Sequence, residues 1–563
     1  MKQTNLHHLY TKRGEDGDLS VWERTYPRPQ MLRESFFSLC GEWDFSAEGI
    51  EPCKIRVPFP PESLLSGVHR SMGKRPRLCY RRTFRLPEGF VRGRVLLHFG
   101  AVDQIAVVTL NGVRLGRHEG GYGAFSFDVT SHLKEENLLV VDVLDELANG
   151  ILPYGKQRED RGGMWYTPTS GIWQSVWLES VPETYVKSLR ITPNENGALI
   201  EAEGVDRGEI TVQTPDGEEH FTLEDGKCMI APRIVRMWSP EDPYRYCFVL
   251  SADEDEVYSY FAIRTLDIRE VDGVSRLCLN GKPYFFHALL DQGYYSDGIY
   301  TPASPECYED DILAMKSLGF NTLRKHIKVE PELFYYYCDK HGMVVFQDMV
   351  NNGRYSFLWD TALPTVGMKR FPDRILHPNK LSRRAFLKGM RETVKQLYNH
   401  PSICYWTIFN EGWGQFSGSE AYKMLKEEDD TRFIDTTSGW FHGAETDVTS
   451  LHVYFKPVRL KPSAKPIVLS EFGGYSYKPE GHVFNEGNTY GYRFFKERDA
   501  FEDALVKLYT EEIIPLVREG LCAAVYTQVS DVEDETNGLL SYDRKVLKVT
   551  PERMLAIAEE LKL

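Results

Sequence analysis

Ile403-Cys-Tyr-Trp-Thr-Ile-Phe-Asn-Glu-Gly-Trp413 is the stretch on which the fold turns. An unbroken apolar, aromatic and β-branched run ends abruptly in a polar tip, Asn410-Glu411. A short continuous run of this kind suits a strand buried on both faces, as in a parallel sheet covered by helices. Ile467-Val-Leu-Ser-Glu-Phe-Gly-Gly474 has the same design, with Glu471 at its tip. Working outward from these two, short apolar strands alternate with helical patterns from Arg264 onward. Eight strands are expected: Phe285–Leu289, Asn321–Arg324, Val344–Asp348, Ile403–Asn410, Phe433–Thr437, Val448–His452, Ile467–Glu471 and Cys522–Thr527. Helices are expected over Cys307–Leu318, Glu332–His341, Arg384–Tyr398, Gly418–Glu427, Phe501–Glu519 and Pro551–Leu561. Eight strand-then-helix units over residues 269–563 match the size of a (β/α)8 TIM barrel. A doubly wound open sheet is the structural alternative, but no GxGxxG or Walker-type loop follows any strand.

Upstream, the texture is all β. Residues 1–183 carry Val95–Gly100, Ile105–Leu110, Phe125–Val129, Leu138–Val143 and Gln174–Glu179, and Asn111-Gly112 is a hairpin turn signal. Short strands punctuated by Gly and Asn turns read as a β-sandwich. Residues 184–268 repeat the pattern on a smaller scale, with Ile200–Glu203, Ile210–Gln213 and Arg245–Leu250, and suit an immunoglobulin-like sandwich.

The formal charge of −15 disfavours nucleic acid and anionic membrane surfaces as partners. No apolar run has the length of a signal peptide at the N-terminus, or of a bilayer span anywhere, so a cytoplasmic location is expected. The ten cysteines are scattered, without a CxxC pair, which suits reduced thiols rather than a disulfide frame or zinc site. Aromatic residues make up 13%; large β cores account for most of that, and sugar platforms are the sharper reading.

Catalytic groups of such barrels lie at the C-terminal strand ends. Glu411 and Glu471 end the fourth and seventh strands, on facing sides of an eight-strand ring. Retaining glycoside hydrolysis needs two carboxyl groups about 5–5.5 Å apart, one attacking the anomeric carbon and the other protonating the leaving oxygen. For one isolated glutamate a structural ion pair would be the better explanation; two, on these two strands, point to chemistry.

In order along the chain, several motifs resemble glycoside hydrolase family two, which includes β-galactosidases, β-glucuronidases and β-mannosidases. They are Ser38-Leu-Cys-Gly-Glu-Trp-Asp-Phe45, Leu97-His-Phe-Gly-Ala-Val-Asp103, His118-Glu-Gly-Gly-Tyr122, Ser170-Gly-Ile-Trp-Gln174, Trp238-Ser-Pro-Glu-Asp-Pro-Tyr244, Leu279-Asn-Gly-Lys-Pro283, Gly319-Phe-Asn-Thr-Leu-Arg324, Asn410-Glu411 and Ser470-Glu471-Phe472-Gly473. The resemblance implies a jelly-roll sugar-binding-like domain, an immunoglobulin-like domain and a catalytic barrel. It makes Glu411 the acid/base and Glu471 the nucleophile of a retaining exo-β-glycosidase. It implies that Asn410 bonds the sugar 2-hydroxyl, that Arg324 holds the nucleophile ionised, and that Tyr454 donates its hydroxyl to Glu471. His326 is implied as a sugar-binding histidine. Trp413 and Trp440 are candidates for stacking, with packing as the alternative; Asp348, His452 and Gln528 are candidates for hydroxyl contacts.

Departures bear on the sugar. Galactosidases of the family often carry an Arg-His-Glu-His-His cluster after the first barrel strand, where this chain has Asp291-Gln-Gly-Tyr294. Glucuronidases use an Asn-x-Lys near the last strand for the sugar carboxylate; here the stretch is Thr536-Asn-Gly-Leu-Leu540. An unpaired buried carboxylate is costly, which argues against glucuronides. β-Galactoside is the expectation, with β-mannoside, β-galactofuranoside and α-L-arabinoside open. Rival readings are a non-catalytic carbohydrate-binding protein, a metal-dependent barrel hydrolase and transglycosylation. No His-x-His or His-Glu-x-x-His motif supports a metal, so neither metal nor cofactor is expected. The partner is a small carbohydrate, and a homo-oligomer is compatible with the family.

Overall fold

Eight parallel strands form one sheet in the computed structural model, which describes residues 6–363, 377, 379–441 and 443–563. They are β1 (Phe286–Asp291), β2 (Thr322–Lys325), β3 (Val344–Asp348), β4 (Ile403–Asn410), β5 (Phe433–Ser438), β6 (Thr449–Val453), β7 (Ile467–Gly473) and β8 (Leu521–Thr527). Their order is β5-β4-β3-β2-β1-β8-β7-β6. Each strand lies beside its neighbour in the chain, and β8 closes onto β1, which makes a (β/α)8 barrel. Strand ends differ from expectation by no more than two residues. Every residue of β3, β4, β5, β7 and β8 is buried. That is the reason β4 and β8 are written as continuous apolar runs and not as alternations.

The ring has one seam. Among the described residues, ladders join every adjacent pair except β5 and β6. Asp447 N donates to Ile434 O (2.9 Å) just before β6 begins, and above that side chains take over. Ser450 Oγ donates to Asp435 Oδ1 (3.0 Å) and accepts from Gly439 N (3.3 Å). Ser438 Oγ, the last position of β5, lies 3.2 Å from His452 Nε2 on β6.

The helices Glu306–Ser317, Glu332–His341, Lys380–Leu397 and Gly418–Glu428 occupy their expected places. The helix expected over Phe501–Glu519 is interrupted. It runs Arg498–Leu508, widens into a π turn at Tyr509–Ile513 and resumes as Ile514–Arg518. Pro515 has no N–H to give the preceding turn, and the wider turn absorbs that loss.

The N-terminal jelly roll pairs a four-stranded with a six-stranded antiparallel sheet. The Asn111-Gly112 hairpin joins Ile105–Leu110 to Val113–Glu119. The immunoglobulin-like unit packs three strands against four between Ser188 and Phe261. Among the described residues the first strand is Phe37–Ser38, so residues 6–36 add no strand to the jelly roll. They bind elsewhere: Thr11 donates through N and Oγ1 to Asp297 Oδ2 (2.8 and 2.6 Å), and Trp22 Nε1 donates to Pro302 O (3.1 Å).

One jelly-roll excursion matters for function. After Leu144 the chain leaves the sandwich and lies on the C-terminal face of the barrel. Tyr154 N donates to Asn351 O (3.0 Å), and Tyr154 Oη donates to Gly353 O (2.6 Å), both just beyond β3. Gly155 follows with φ 65°, and a Cβ there would lie 2.8 Å from Ile327 O, just beyond β2. Glycine therefore permits the close approach at this point.

Candidate active site

Arg324, at the end of β2, organises the floor. Its guanidinium is 1% exposed and meets four acceptors. Nε donates to Asp348 Oδ1 (3.0 Å), and Nη1 donates to Glu471 Oε1 (3.0 Å) and Ser470 O (2.9 Å). Nη2 donates to Asn410 Oδ1 (2.9 Å). Strands β2, β3, β4 and β7 thus converge on one cation. With Oδ1 of Asn410 engaged, its Nδ2 is the group left to donate to a ligand.

Glu471 accepts on both sides: Oε1 from Arg324, and Oε2 from Tyr454 Oη at 2.5 Å. Burial opposes ionisation of this carboxyl, but the His452 ring and the Arg324 guanidinium overcome it and bring its pKa down to about 2. Tyr454 moves the opposite way. Burial and the facing Glu471 push its hydroxyl well above the ordinary tyrosine range, so it remains a donor. Its ring is fixed by a flat stack on Tyr492, with centroids 3.7 Å apart.

Glu411 sits one residue past β4 with φ 53°, in the left-handed region, and Gly412 follows at φ 74°. A Cβ on Gly412 would fall 2.0 Å from the Phe441 ring, so this turn requires glycine. A glutamate held in that conformation is a local strain of the kind that clusters at functional sites. Glu411 Oε1 lies 2.8 Å from His452 Nδ1, and the same nitrogen lies 3.5 Å from Glu471 Oε2. A Glu411 oxygen and a Glu471 oxygen lie within 4.8 Å of one another.

Among the described residues, Glu411, His452 and Glu471 are the one group of three whose donor atoms converge closely enough for a cation. Their atoms are already engaged: Nδ1 with Glu411, and both Glu471 oxygens with Arg324 and Tyr454. An ion would have to displace those contacts.

The remaining expected residues divide. His326 Nδ1 lies 2.7 Å from Asp348 Oδ2. Arg324 outweighs burial and holds Asp348 below the usual carboxylate range, so Asp348 accepts and His326 Nδ1 carries the proton. Burial brings the His326 pKa down to about 4, so the ring is neutral and its Nε2 is an acceptor. Asp348, expected at a sugar hydroxyl, instead has both oxygens committed to Arg324 and His326 and serves to orient them. His452, expected to touch a hydroxyl, has no exposed side-chain surface and lies between the two glutamates. Gln528 is fully buried, accepting from Gln292 Nε2 (2.9 Å) and donating to Asn537 Oδ1 (2.9 Å), so it braces the β8 loop. Trp413 is 4% exposed, with Trp165, Tyr154 and Tyr355 ring centroids at 5.0, 5.8 and 6.0 Å. Its stacking surface is taken by protein. Trp440 is half-buried, 6.1 Å from the His452 ring, and keeps surface free.

Two groups near the site were not among the expected residues. Lys156 comes from the jelly-roll excursion, in a loop with no periodicity to mark it. Glu535 lies in Glu533-Asp-Glu535, a run that resembles a solvated acidic face yet is buried.

Two β-sandwiches leading into a (β/α)8 barrel, with paired glutamates at the ends of β4 and β7, define the architecture and site of a glycoside-hydrolase-type protein. The sugar-binding domain model of glycosyl hydrolases family 2 matches residues 37–182, and the TIM barrel domain model of the same family matches residues 274–539. The chain belongs to glycosyl hydrolases family 2. A β-glucuronidase of Bacteroides fragilis is 25% identical over 344 residues, covering 56% of this chain and 47% of that protein. A β-galactosidase of Aeromonas hydrophila is 28% identical over 435 residues, covering 70% of this chain and 38% of that protein. The chain therefore spans less than half the length of these two relatives. Among solved structures, a β-D-glucuronidase of Dictyoglomus thermophilum aligns with TM-score 0.73 at 16% identity, over 95% of this chain and 98% of that one. Among the described residues, no helix is long and apolar enough to cross a membrane.

Proposed function

We propose that the chain is a retaining exo-β-glycosidase that removes a neutral terminal sugar by double displacement. The observation that carries this reading is the carboxylate pair: Glu411 and Glu471 oxygens within 4.8 Å. That closeness suits attack by one carboxylate, as in a retaining pair, better than the wider separation that seats a water in an inverting one. Glu471, held ionised by Arg324 and Tyr454, attacks the anomeric carbon. Glu411 gives a proton to the departing oxygen and then takes one from water, which releases the sugar with its configuration retained. Asn410 Nδ2 donates to the 2-hydroxyl, a contact that strengthens as positive charge develops on the ring.

Neutrality of the sugar is supported by what the cations are doing. Arg324 has acceptors on Nε, Nη1 and Nη2, and the Asn-x-Lys of the family's glucuronidases is missing. β-Galactoside is the first candidate, followed by β-mannoside, β-galactofuranoside and α-L-arabinoside.

The test is a panel of aryl glycosides covering these sugars together with β-glucoside, β-glucuronide and β-galacturonide. Wild type and Glu471→Gln are compared, and the first-formed anomer is read by NMR. Cleavage of one neutral glycoside with retention, lost at least ~1,000-fold in the variant, is expected. Inversion, or an active Glu471→Gln protein, overturns the mechanism.

A further inference from the structure

Glu535 is a buried carboxyl group that the double-displacement chemistry does not use. It is 4% exposed, beyond β8. One oxygen accepts from Tyr166 Oη of the jelly-roll excursion, and the other accepts from Asn537 Nδ2 at 3.3 Å. Asn537 is in turn fixed by Gln528, and Gln528 by Gln292 on the far side of β1. A carboxylate offers about four lone-pair sites, so two remain. The group is held rigidly with acceptor capacity to spare.

Lys156 is the complement. It is half-buried, and its ammonium, 5.9 Å from the Trp165 ring centroid, has no hydrogen bond or ion pair among the described residues. Its backbone is fixed: Lys156 O accepts from Tyr166 N (3.0 Å), and the preceding Gly155 is pressed against Ile327 O. Tyr166 joins the two groups, its hydroxyl donating to Glu535 and its N–H to Lys156 O; burial raises the Glu535 carboxyl above its ordinary range, and the Lys156 charge is the largest influence opposing that. The two groups also sense the reaction centre: Glu471 bears on Glu535, and Lys156 bears on His326. Trp165, beneath the ammonium, packs on Trp413, two residues from Glu411.

We infer that Glu535 and Lys156, brought together from the barrel and the jelly roll, form a hydroxyl-reading pair for the sugar cleaved at this site. The inference rests on the glycosidase reading and gives it a substrate class. A sugar hydroxyl has one proton to give and lone pairs to receive. Glu535 accepts a hydrogen bond from one hydroxyl, and Lys156 donates to the same or the neighbouring oxygen. The carboxylate of a uronic acid has only acceptors. It would gain Lys156 but face Glu535 and Glu471, like charges in a poorly screened site. The pair therefore selects a neutral sugar bearing a free hydroxyl at the position it reads.

The experiment crosses enzyme variants with substrate deletions. Wild type, Glu535→Gln and Lys156→Met are assayed on the preferred aryl glycoside and on its 3-, 4- and 6-deoxy or otherwise monodeoxy counterparts. Glu535→Gln should lower kcat/KM by about 10- to 100-fold on the parent sugar. On one deoxy sugar it should add less than about threefold, because the partner hydroxyl is already gone. Lys156→Met should show the same non-additivity at that position or its neighbour. Wild type should prefer the neutral glycoside over the matching uronide, and Glu535→Gln should narrow the gap. Equal losses on every deoxy sugar, or a wild-type preference for the uronide, overturn the pair. Binding of the free monosaccharide, followed by calorimetry, separates this inference from the catalytic one. Should wild type bind sugar without cleaving any glycoside, the hydrolytic reading falls, and the pair stands or falls on whether Glu535→Gln weakens binding by the same factor. Thermal melts of both variants confirm folding.

Discussion

Replacing Arg324 by Met keeps much of the side-chain volume and removes the one cation under the site. Asp348 and Glu471 would then be buried without their shared partner, and Asn410 Oδ1 and Ser470 O would lose a donor. Breaking a buried ion pair from one side costs about 3–5 kcal/mol. The Glu471 titration sets the scale for the whole surroundings of the carboxyl, with His452, Arg324, His326 and Tyr454 all contributing. Its fall from an ordinary 4.5 to about 2, at 1.36 kcal/mol per pH unit, is worth roughly 3 kcal/mol of folding free energy. The sign follows from the depression: that stability is fully present above pH 4.5 and is lost as pH falls toward 2. In the variant, burial pushes the same carboxyl up, so the cost of ionising it is felt at neutral pH and vanishes in acid. Urea denaturation of wild type and Arg324→Met at pH 7.5 and pH 4 should therefore give a stability difference of about 3–5 kcal/mol at the higher pH, falling by roughly half at the lower. A difference below about 1 kcal/mol, or one independent of pH, would refute the argument that Arg324 is needed, beside His452, to keep the nucleophile ionised.

Gly412→Ala sets a Cβ 2.0 Å from the Phe441 ring at φ 74°, so the Glu411 turn must shift. Loss of kcat by more than ~100-fold with the fold intact by circular dichroism is expected; near-normal turnover would show that the turn does not position the acid. Trp413→Ala, which empties a space among three aromatic rings, should destabilise the protein by about 3–5 kcal/mol. Trp440→Ala should leave the melting temperature within a few degrees and raise KM instead; the reverse pattern would exchange their roles as packing residue and sugar platform.

What the sequence makes legible follows from where its constraints are local. Ile403–Asn410 and Leu521–Thr527 are buried at every position, and continuous burial writes itself as an apolar run that ends where the cleft begins. Glu411 and Glu471 stand out because a carboxylate at such an end has no packing reason to be there. The residues whose surroundings the sequence hides are those whose partners lie far away in the chain. Gln528 looks like a cleft residue until burial and its bonds to Gln292 and Asn537 are seen. Asp348 and His452 are indeed at the site, but Arg324 and the glutamates, not a sugar, use their polar atoms. Lys156 and Glu535 were invisible for the same reason: one belongs by sequence to a sandwich loop and the other to an acidic run. The helix expected unbroken over Phe501–Glu519 is the opposite case: its signal, Pro515, is local, and a proline inside a helical pattern interrupts the ladder.

The seam between β5 and β6 has a mechanical consequence. Among the described residues, seven of the eight joints between strands are fastened by main-chain ladders, and the eighth by one main-chain bond at its base and a few hydroxyl and imidazole bonds. Such a joint opens at lower cost than its neighbours. Glu411 is tied to both of its edges: its N–H donates to Ser438 O on β5 (2.9 Å), and its carboxyl meets His452 on β6. Glu471 is instead clamped across the ring to Arg324 on β2. The proton-handling glutamate is thereby suspended over the compliant joint, and the attacking glutamate is bolted to the stiff frame. Amide exchange should find the two halves of the same active site ageing at different rates.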